Sequence, residues 1–210
     1  MLTLDEAAQT LVDPKDGRRF DARMRSWGQA ADGRRRAPGR PLALREAATW
    51  LQRASGHPLR QPVGVIGPRE APEQNLELAE AIGRAFGAIG FTVVCGGRQG
   101  IMAAVCRGVA AAGGISIGLL PETEADAANP YVTIPLATGI GEARNAIVAR
   151  SAFCLVAIGD SYGTLSEVAL GLQFGRPVIG LAGAAQVDGV RHVATADEAV
   201  EAVARVALGI

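Results

Sequence analysis

Three glycine-rich stretches hold most of the residue types in this chain that are suited to chemistry. They are Gly96-Gly97-Arg98-Gln99-Gly100, Thr138-Gly139-Ile140-Gly141-Glu142-Ala143-Arg144-Asn145, and Gly159-Asp160-Ser161-Tyr162-Gly163-Thr164-Leu165-Ser166-Glu167. Each follows a short apolar run and leads into a helical pattern. Each therefore points backbone N–H groups and the positive end of a helix dipole toward one edge of a sheet, an arrangement that binds phosphate. Glycine makes up 27 of the 210 residues, about twice the usual share of about 7%. No G-X-Y period is present, so the excess belongs to tight turns and close backbone approach, whether to a ligand or to packed neighbours. The candidate ligand- and phosphate-binding set is Gly67, Arg69, Gly96, Gly97, Arg98, Gly100, Gly139, Gly141, Arg144, Ser161, Gly163 and Thr164.

Arg144 and Glu167 each admit two readings. Arg144 falls at a helix start, where a cation opposes the macrodipole by roughly 0.3–1 kcal/mol. Its partner is a carboxylate such as Glu142, a ligand phosphate, or a catalytic carboxylate across a cleft. Arginine suits all of these because its planar fork grips two oxygens. Thr164-x-x-Glu167 matches a capping box, as do Thr3–Glu6 and Thr195–Glu198, and spacing alone favours capping. A carboxylate beside a phosphate-binding turn also suits gripping ribose hydroxyls or polarising a water.

Other chemistries are excluded by what is missing. No GxGxxG follows a strand with an acidic residue about 20 positions on, so a standard dinucleotide site is not expected. Lys15 is the sole lysine and no GxxxxGK[ST] occurs, which removes an ATP-hydrolysing P-loop. His57 and His192 are isolated and lack ligand spacing, so no metal site is expected. No nucleophile elbow is present. The three cysteines, Cys95, Cys106 and Cys154, show no CxxC spacing and read as buried free thiols of a cytoplasmic protein. Aromatics at 4% disfavour a base-stacking nucleic-acid reader. The longest uncharged run, 127–141, is too short and polar to span a membrane, and Asp5 and Glu6 fall where a secretion signal would be basic.

The elements that must position these residues divide the chain in two. Net charge is zero, but residues 1–60 hold 12 Lys/Arg against 7 Asp/Glu and residues 61–210 hold 9 against 14, which implies two differently built parts. Residues 1–60 read as an appendage rich in turn signals, with a helix behind Thr3 (Leu4, Ala7, Ala8, Leu11) and a second begun by Pro41 (Leu44, Ala47, Ala48, Leu51). The basic run Arg34-Arg35-Arg36 reads as a solvated loop. From residue 61 onward, apolar runs at 63–67, 91–95, 115–120, 131–134, 152–158 and 177–181 alternate with helical stretches near 72–88, 100–112, 142–150, 164–174 and 196–207. Near-continuous apolar strands between helices define a doubly wound, mostly parallel, Rossmann-like α/β fold with its site at the carboxyl ends of the strands.

The motifs GGRQGIM (96–102), ARN (143–145) and YGTLSE (162–167) resemble the LONELY GUY-like superfamily of Rossmann-type proteins, once labelled lysine decarboxylase-like. NPYVTIP (129–135) and TGIGEARN (138–145) are similar to its molybdenum cofactor carrier branch. The resemblance covers about 63–182 and leaves the first 60 residues outside. It implies a homo-oligomer binding or carrying a phosphorylated nucleotide-like molecule, with molybdenum cofactor as cargo, no cofactor required, and neither nucleic acid nor membrane as partner. It also implies an alternative, a nucleoside 5′-monophosphate phosphoribohydrolase. In that branch an Arg-Lys pair and a PGGxGTxxE turn handle ribose and phosphate, and Arg144 and Glu167 occupy the arginine and glutamate places. The lysine place is Asn145, the proline place is Gly159, and two glycines become Asp160 and Ser161. A carboxylate about 4 Å from a phosphate repels it by roughly 4 kcal/mol at an effective dielectric near 20, so Asp160 puts the hydrolase pattern in doubt. A third reading gives the glycine turns to packing alone, as in a sensor or structural oligomer.

Overall fold

The computed structural model describes residues 1–28 and 39–210, and the expected loop at Arg34–Arg36 lies outside them. The chain forms two compact units, one of Met1–Leu59 with Ala204–Ile210 and one of Arg60–Val203. The sequence placed the whole of 61–210 in one domain. The division instead falls inside the last helix.

In the larger unit seven strands form an entirely parallel sheet. They are β6 (Val63–Ile66), β7 (Val93–Cys95), β8 (Ser116–Leu120), β9 (Ile134–Ala137), β10 (Leu155–Ile158), β11 (Val178–Leu181) and β12 (Val190–His192). The sheet order is β12-β11-β10-β6-β7-β8-β9. The chain steps outward from β6 to β9, then returns to β10 on the other side of β6. The carboxyl ends of β6 and β10 therefore flank a topological switch point, where ligands bind in open α/β sheets. All residues of β6, β7, β10 and β11 are buried, as covering on both faces requires.

Helices α2 (Glu73–Ile89), α3 (Ile101–Ala111), α4 (Asn145–Ser151) and α5 (Tyr162–Gln173) lie in crossovers between strands, and α6 (Ala196–Ala207) follows the last strand. Glycines bring α2 and α3 into backbone contact: a Cβ at Gly83 would fall 2.2 Å from the Val105 carbonyl oxygen, and one at Gly108 would fall 2.0 Å from that of Glu80. Residues 142–150, expected as one helix, split into a 3-10 turn at Gly141–Arg144 followed by α4. The strand expected at 131–134 runs instead over Ile134–Ala137. Asn129 Oδ1 accepts the Tyr131 N–H at 3.1 Å, and Ser116 and Thr133 exchange side-chain–backbone bonds at 3.1 Å. These local bonds hold residues 129–133 in a bend and delay the ladder.

The smaller unit is a five-stranded antiparallel sheet, order β4-β3-β2-β1-β5, with α1 (Leu44–Arg53). Its strands are β1 (Leu2–Asp5), β2 (Thr10–Val12), β3 (Arg19–Asp21), β4 (Ser26–Gly28) and β5 (Arg40–Leu42). Leu2, Leu4, Leu11, Phe20, Leu42, Trp50, Leu51 and Leu208 form its core. The helix expected behind Thr3 is a β-hairpin. Asp5 Oδ1 accepts the Ala8 N–H at 3.0 Å and so nucleates the turn, while Ala7 and Ala8 stay exposed and give no apolar helix face to bury. Pro41 does not start α1 but sits in edge strand β5, where its missing N–H is tolerated.

Candidate functional site

A cleft of about 720 Å³ lies at the switch point. Residues 67–70 after β6, residues 160–164 after β10, Glu142, Arg144, Asn145, Met102, Ser166 and Glu167 line it. Gly67 ends β6 without a side chain because a Cβ there would fall 2.6 Å from both Ile101 Cγ2 and the Ile158 carbonyl oxygen.

Arg144 and Glu167 meet in this cleft. Arg144 Nη1 donates to Glu167 Oε1 at 3.1 Å, and both residues are buried, at 4% and 6% exposure. The capping box expected at Thr164–Glu167 is not formed. Ser161 caps α5 instead, its Oγ accepting the Thr164 N–H at 3.1 Å, which frees Glu167 to reach Arg144. Burial pushes the Glu167 carboxyl up to about 7, against the opposing pull of Arg144, and the Glu142 charge adds to the rise. The group therefore exchanges a proton near neutrality. Arg144 also lies 3.7 Å from Glu142 Oε2, so it is ion-paired to two carboxylates.

The three glycine-rich turns behave differently. In the α5 turn, the Tyr162 and Gly163 amides belong to a first helical turn with no intrahelical acceptor, and Ser161, Gly163 and Thr164 line the cleft. The Ser161 amide is engaged by Asp160 Oδ1 at 2.8 Å. In the 139–141 turn the amides of Gly139 and Gly141 donate to the carbonyls of Glu122 and Pro121 at 2.8 and 3.0 Å. At α3 the Ile101 amide donates to Pro68 O at 3.1 Å. Gly96, Gly97, Arg98, Gly100, Gly139 and Gly141 do not line the cleft, whereas Gly67, Arg69, Arg144, Ser161, Gly163 and Thr164 do. Gly96 acts beneath it: a Cβ there would fall 2.6 Å from both Arg144 Nη atoms and 2.7 Å from Met102 Sδ. That glycine makes the cradle in which the guanidinium lies.

Sequence reasoning missed Asn129 as a positioning residue. Its buried side-chain amide donates to the carbonyls of Gly97 and Arg98 at 3.0 Å each and holds that turn. Asn145 Nδ2 donates to Ser166 Oγ at 2.9 Å and ties the start of α4 to α5. Asn145 Oδ1 and Arg144 Nε are buried with no hydrogen-bond partner among the described residues. Such orphaned groups are costly unless water or a ligand meets them. All three cysteines are buried and free, with Cys95 Sγ 3.6 Å from Cys106 Sγ. Among the described residues no cluster of three or more His, Cys, Asp or Glu is placed to hold a metal ion, and no helix is long and apolar enough to cross a membrane.

A parallel α/β sheet with a cleft at its switch point defines a Rossmann-type fold. The chain belongs to the SLOG cluster4 family, which its residues 60–207 match, in agreement with the LONELY GUY-like resemblance of its motifs. It is 35% identical over 138 residues to an uncharacterized protein of Archaeoglobus fulgidus, covering 66% of this chain and 91% of that one. Among solved structures it is similar to the molybdenum cofactor binding protein of Rippkaea orientalis, with 31% identity, a TM-score of 0.65, and 69% of this chain and 96% of that one covered. It is also similar to the molybdenum cofactor carrier protein of Chlamydomonas reinhardtii, with 34% identity, a TM-score of 0.65, and 72% and 100% covered.

Proposed function

We propose that this protein binds and carries a phosphorylated, nucleotide-like small molecule, with the molybdenum cofactor, a pterin bearing a phosphate, as the first candidate cargo. The observation that carries the reading is the cleft of about 720 Å³, inside the range of about 300–1,000 Å³ usual for small-molecule sites. Arg144 and Asn145 line it, and Arg144 Nε and Asn145 Oδ1 are buried there with no hydrogen-bond partner among the described residues. Arg69 and Arg144 supply positive charge, and the Tyr162 and Gly163 amides point where a phosphate oxygen is best held. Likeness to two proteins described as binding or carrying molybdenum cofactor supports the same assignment. The cofactor is cargo, and this reading requires no resident cofactor. It places the protein in the cytoplasm as a homo-oligomer, with neither nucleic acid nor membrane as its partner. Purification from a molybdopterin-producing host tests it: molybdenum and pterin fluorescence should co-elute with the protein, and a folded preparation devoid of both contradicts it.

A second reading is favoured by one observation, the buried Arg144–Glu167 pair at 3.1 Å with a carboxyl that titrates near 7. Such a group suits general acid–base work. In hydrolysis of a nucleoside 5′-monophosphate, water adds to C1′ as the N-glycosidic bond breaks, giving base and ribose 5-phosphate. Glu167 would accept the water proton and pass it to the departing base, and Arg144 would hold the ribose. Incubation with AMP should release adenine, and Glu167→Gln should abolish the release. Release that is unchanged in the variant sinks this mechanism.

A further inference from the structure

The side chains around the cleft mouth pose an electrostatic problem for any anion. Arg69 and Arg144 line the cleft together with four carboxyls, Glu70, Glu142, Asp160 and Glu167. Three of those carboxyls are accounted for separately. Glu167 is buried against Arg144, Asp160 is turned onto the Ser161 amide, and Glu70 is exposed with no ion-pair partner among the described residues.

Glu142 is different. Its Oε1 accepts from Arg69 Nη2 at 2.9 Å and lies 3.9 Å from Arg98 Nη1, while its Oε2 lies 3.7 Å from Arg144 Nη2. One carboxylate thus sits where three guanidiniums from three separate segments converge. The glutamate side chain is 61% exposed, against 50% for Arg69, 19% for Arg98 and 5% for Arg144. Arg98 has a second acid, Glu122, and Arg144 has Glu167, whereas Arg69 has Glu142 alone among the described residues.

We propose that Glu142 is an internal stand-in anion: its carboxylate occupies the point shared by Arg69, Arg98 and Arg144, and the phosphate-type oxyanion of an incoming ligand displaces it. This inference rests on the anionic-ligand reading above and deepens it. Displacement is physically easy because an exposed ion pair contributes little to stability and its carboxylate regains water on leaving. Departure of Glu142 also leaves the Arg144 guanidinium, whose Nε already lacks a partner, short of one more acceptor. The Glu142 charge raises the Glu167 pKa, and the oxyanion that takes its place keeps a negative charge at that point. An oxyanion carries two or more acceptor oxygens and so meets several guanidiniums at once, as one carboxylate does here.

Calorimetric titration with inorganic phosphate and with ribose 5-phosphate tests the proposal on the full chain. Glu142→Gln removes the competing charge and should tighten both by about five- to tenfold. Glu70→Gln removes a neighbouring cleft carboxylate that holds no arginine, and should change them less than twofold. Equal gains in both variants would mean a general field effect and overturn displacement. Unchanged or weaker binding in Glu142→Gln beside measurable wild-type binding would mean that Glu142 only positions the arginines, and overturns this inference alone. No binding of either probe by wild type or variant overturns the anionic-ligand reading and this one with it. A phosphate-soaked structure with Glu142 still on Arg69 overturns displacement as well.

Discussion

The turns that open α3 and α5 come from the same sheet edge and are built from the same kinds of residue, yet they do opposite jobs. In the α3 turn the glycines are required by packing. Gly100 has φ 68°, and a Cβ there would fall 2.2 Å from the Arg69 carbonyl oxygen, while Gly96 makes room for the Arg144 guanidinium. In the α5 turn, Gly163 meets nothing nearer than Ser161 Oγ at 3.8 Å, so its missing side chain leaves open space above a helix N-terminus. Glycine in a strand-to-helix turn therefore marks close approach in general, and only the neighbours decide whether the approaching group is protein or ligand.

The greatest loss is expected at Arg144, which lies against Gly96 of the α3 turn and pairs with Glu167 of α5. Arg144→Ala strands Glu167 as a buried, unpaired carboxylate and should cost about 3–5 kcal/mol at pH 8. The loss should shrink at pH 5.5, where Glu167 is protonated. Chemical denaturation at both pH values measures it, and an equal loss at the two would show that the pair is not electrostatic. Gly100→Ala should cost about 3 kcal/mol, from a left-handed backbone and a clash with a carbonyl, read from the denaturation midpoint. Gly163→Ala should be neutral or stabilising by up to about 1 kcal/mol, since alanine is the better helix former and the space is free. If both glycine variants lose stability alike, the contrast between the turns is wrong.

A pH profile sharpens the comparison further. Glu167 takes up its proton near 7 in the folded chain against an ordinary value of 4.5. Between those values the folded state binds more protons than the unfolded one, so the Glu167 contribution makes stability fall as pH rises from about 4.5 to about 7. Glu167→Gln should flatten that part of the profile. A decline of undiminished slope in the variant would assign the titration to another group.

Much of the fold was legible because parallel strands buried on both faces leave near-continuous apolar runs, as at Val63–Ile66 and Leu155–Ile158. The smaller unit was less so. Leu4, Ala7, Ala8 and Leu11 match a helical period as well as a hairpin, and nothing in that spacing reveals that Asp5 closes a turn. At the site, Arg144 and Glu167 stand out by residue type and by family resemblance, but their contact joins the start of α4 to the second turn of α5, 23 residues apart. The spacing of Thr164 and Glu167 pointed instead to a local cap, because Ser161, the actual cap, competes for the same amide. Asn129 stood out only as the first residue of the NPYVTIP motif, since a lone asparagine in a loop is usual, and its role depends on a fold that brings it within hydrogen-bond reach of Gly97.

The central claim is that the cleft around Arg144 holds a phosphorylated small molecule. Native mass spectrometry of protein purified from a molybdopterin-producing host, wild type beside Arg144→Ala kept at pH 5.5 so that it stays folded, tests this most directly. The wild type should carry the added mass of a phosphate-bearing ligand, and the variant should lose it. Identical spectra for the two folded proteins, with the ligand retained by both or absent from both, would contradict it.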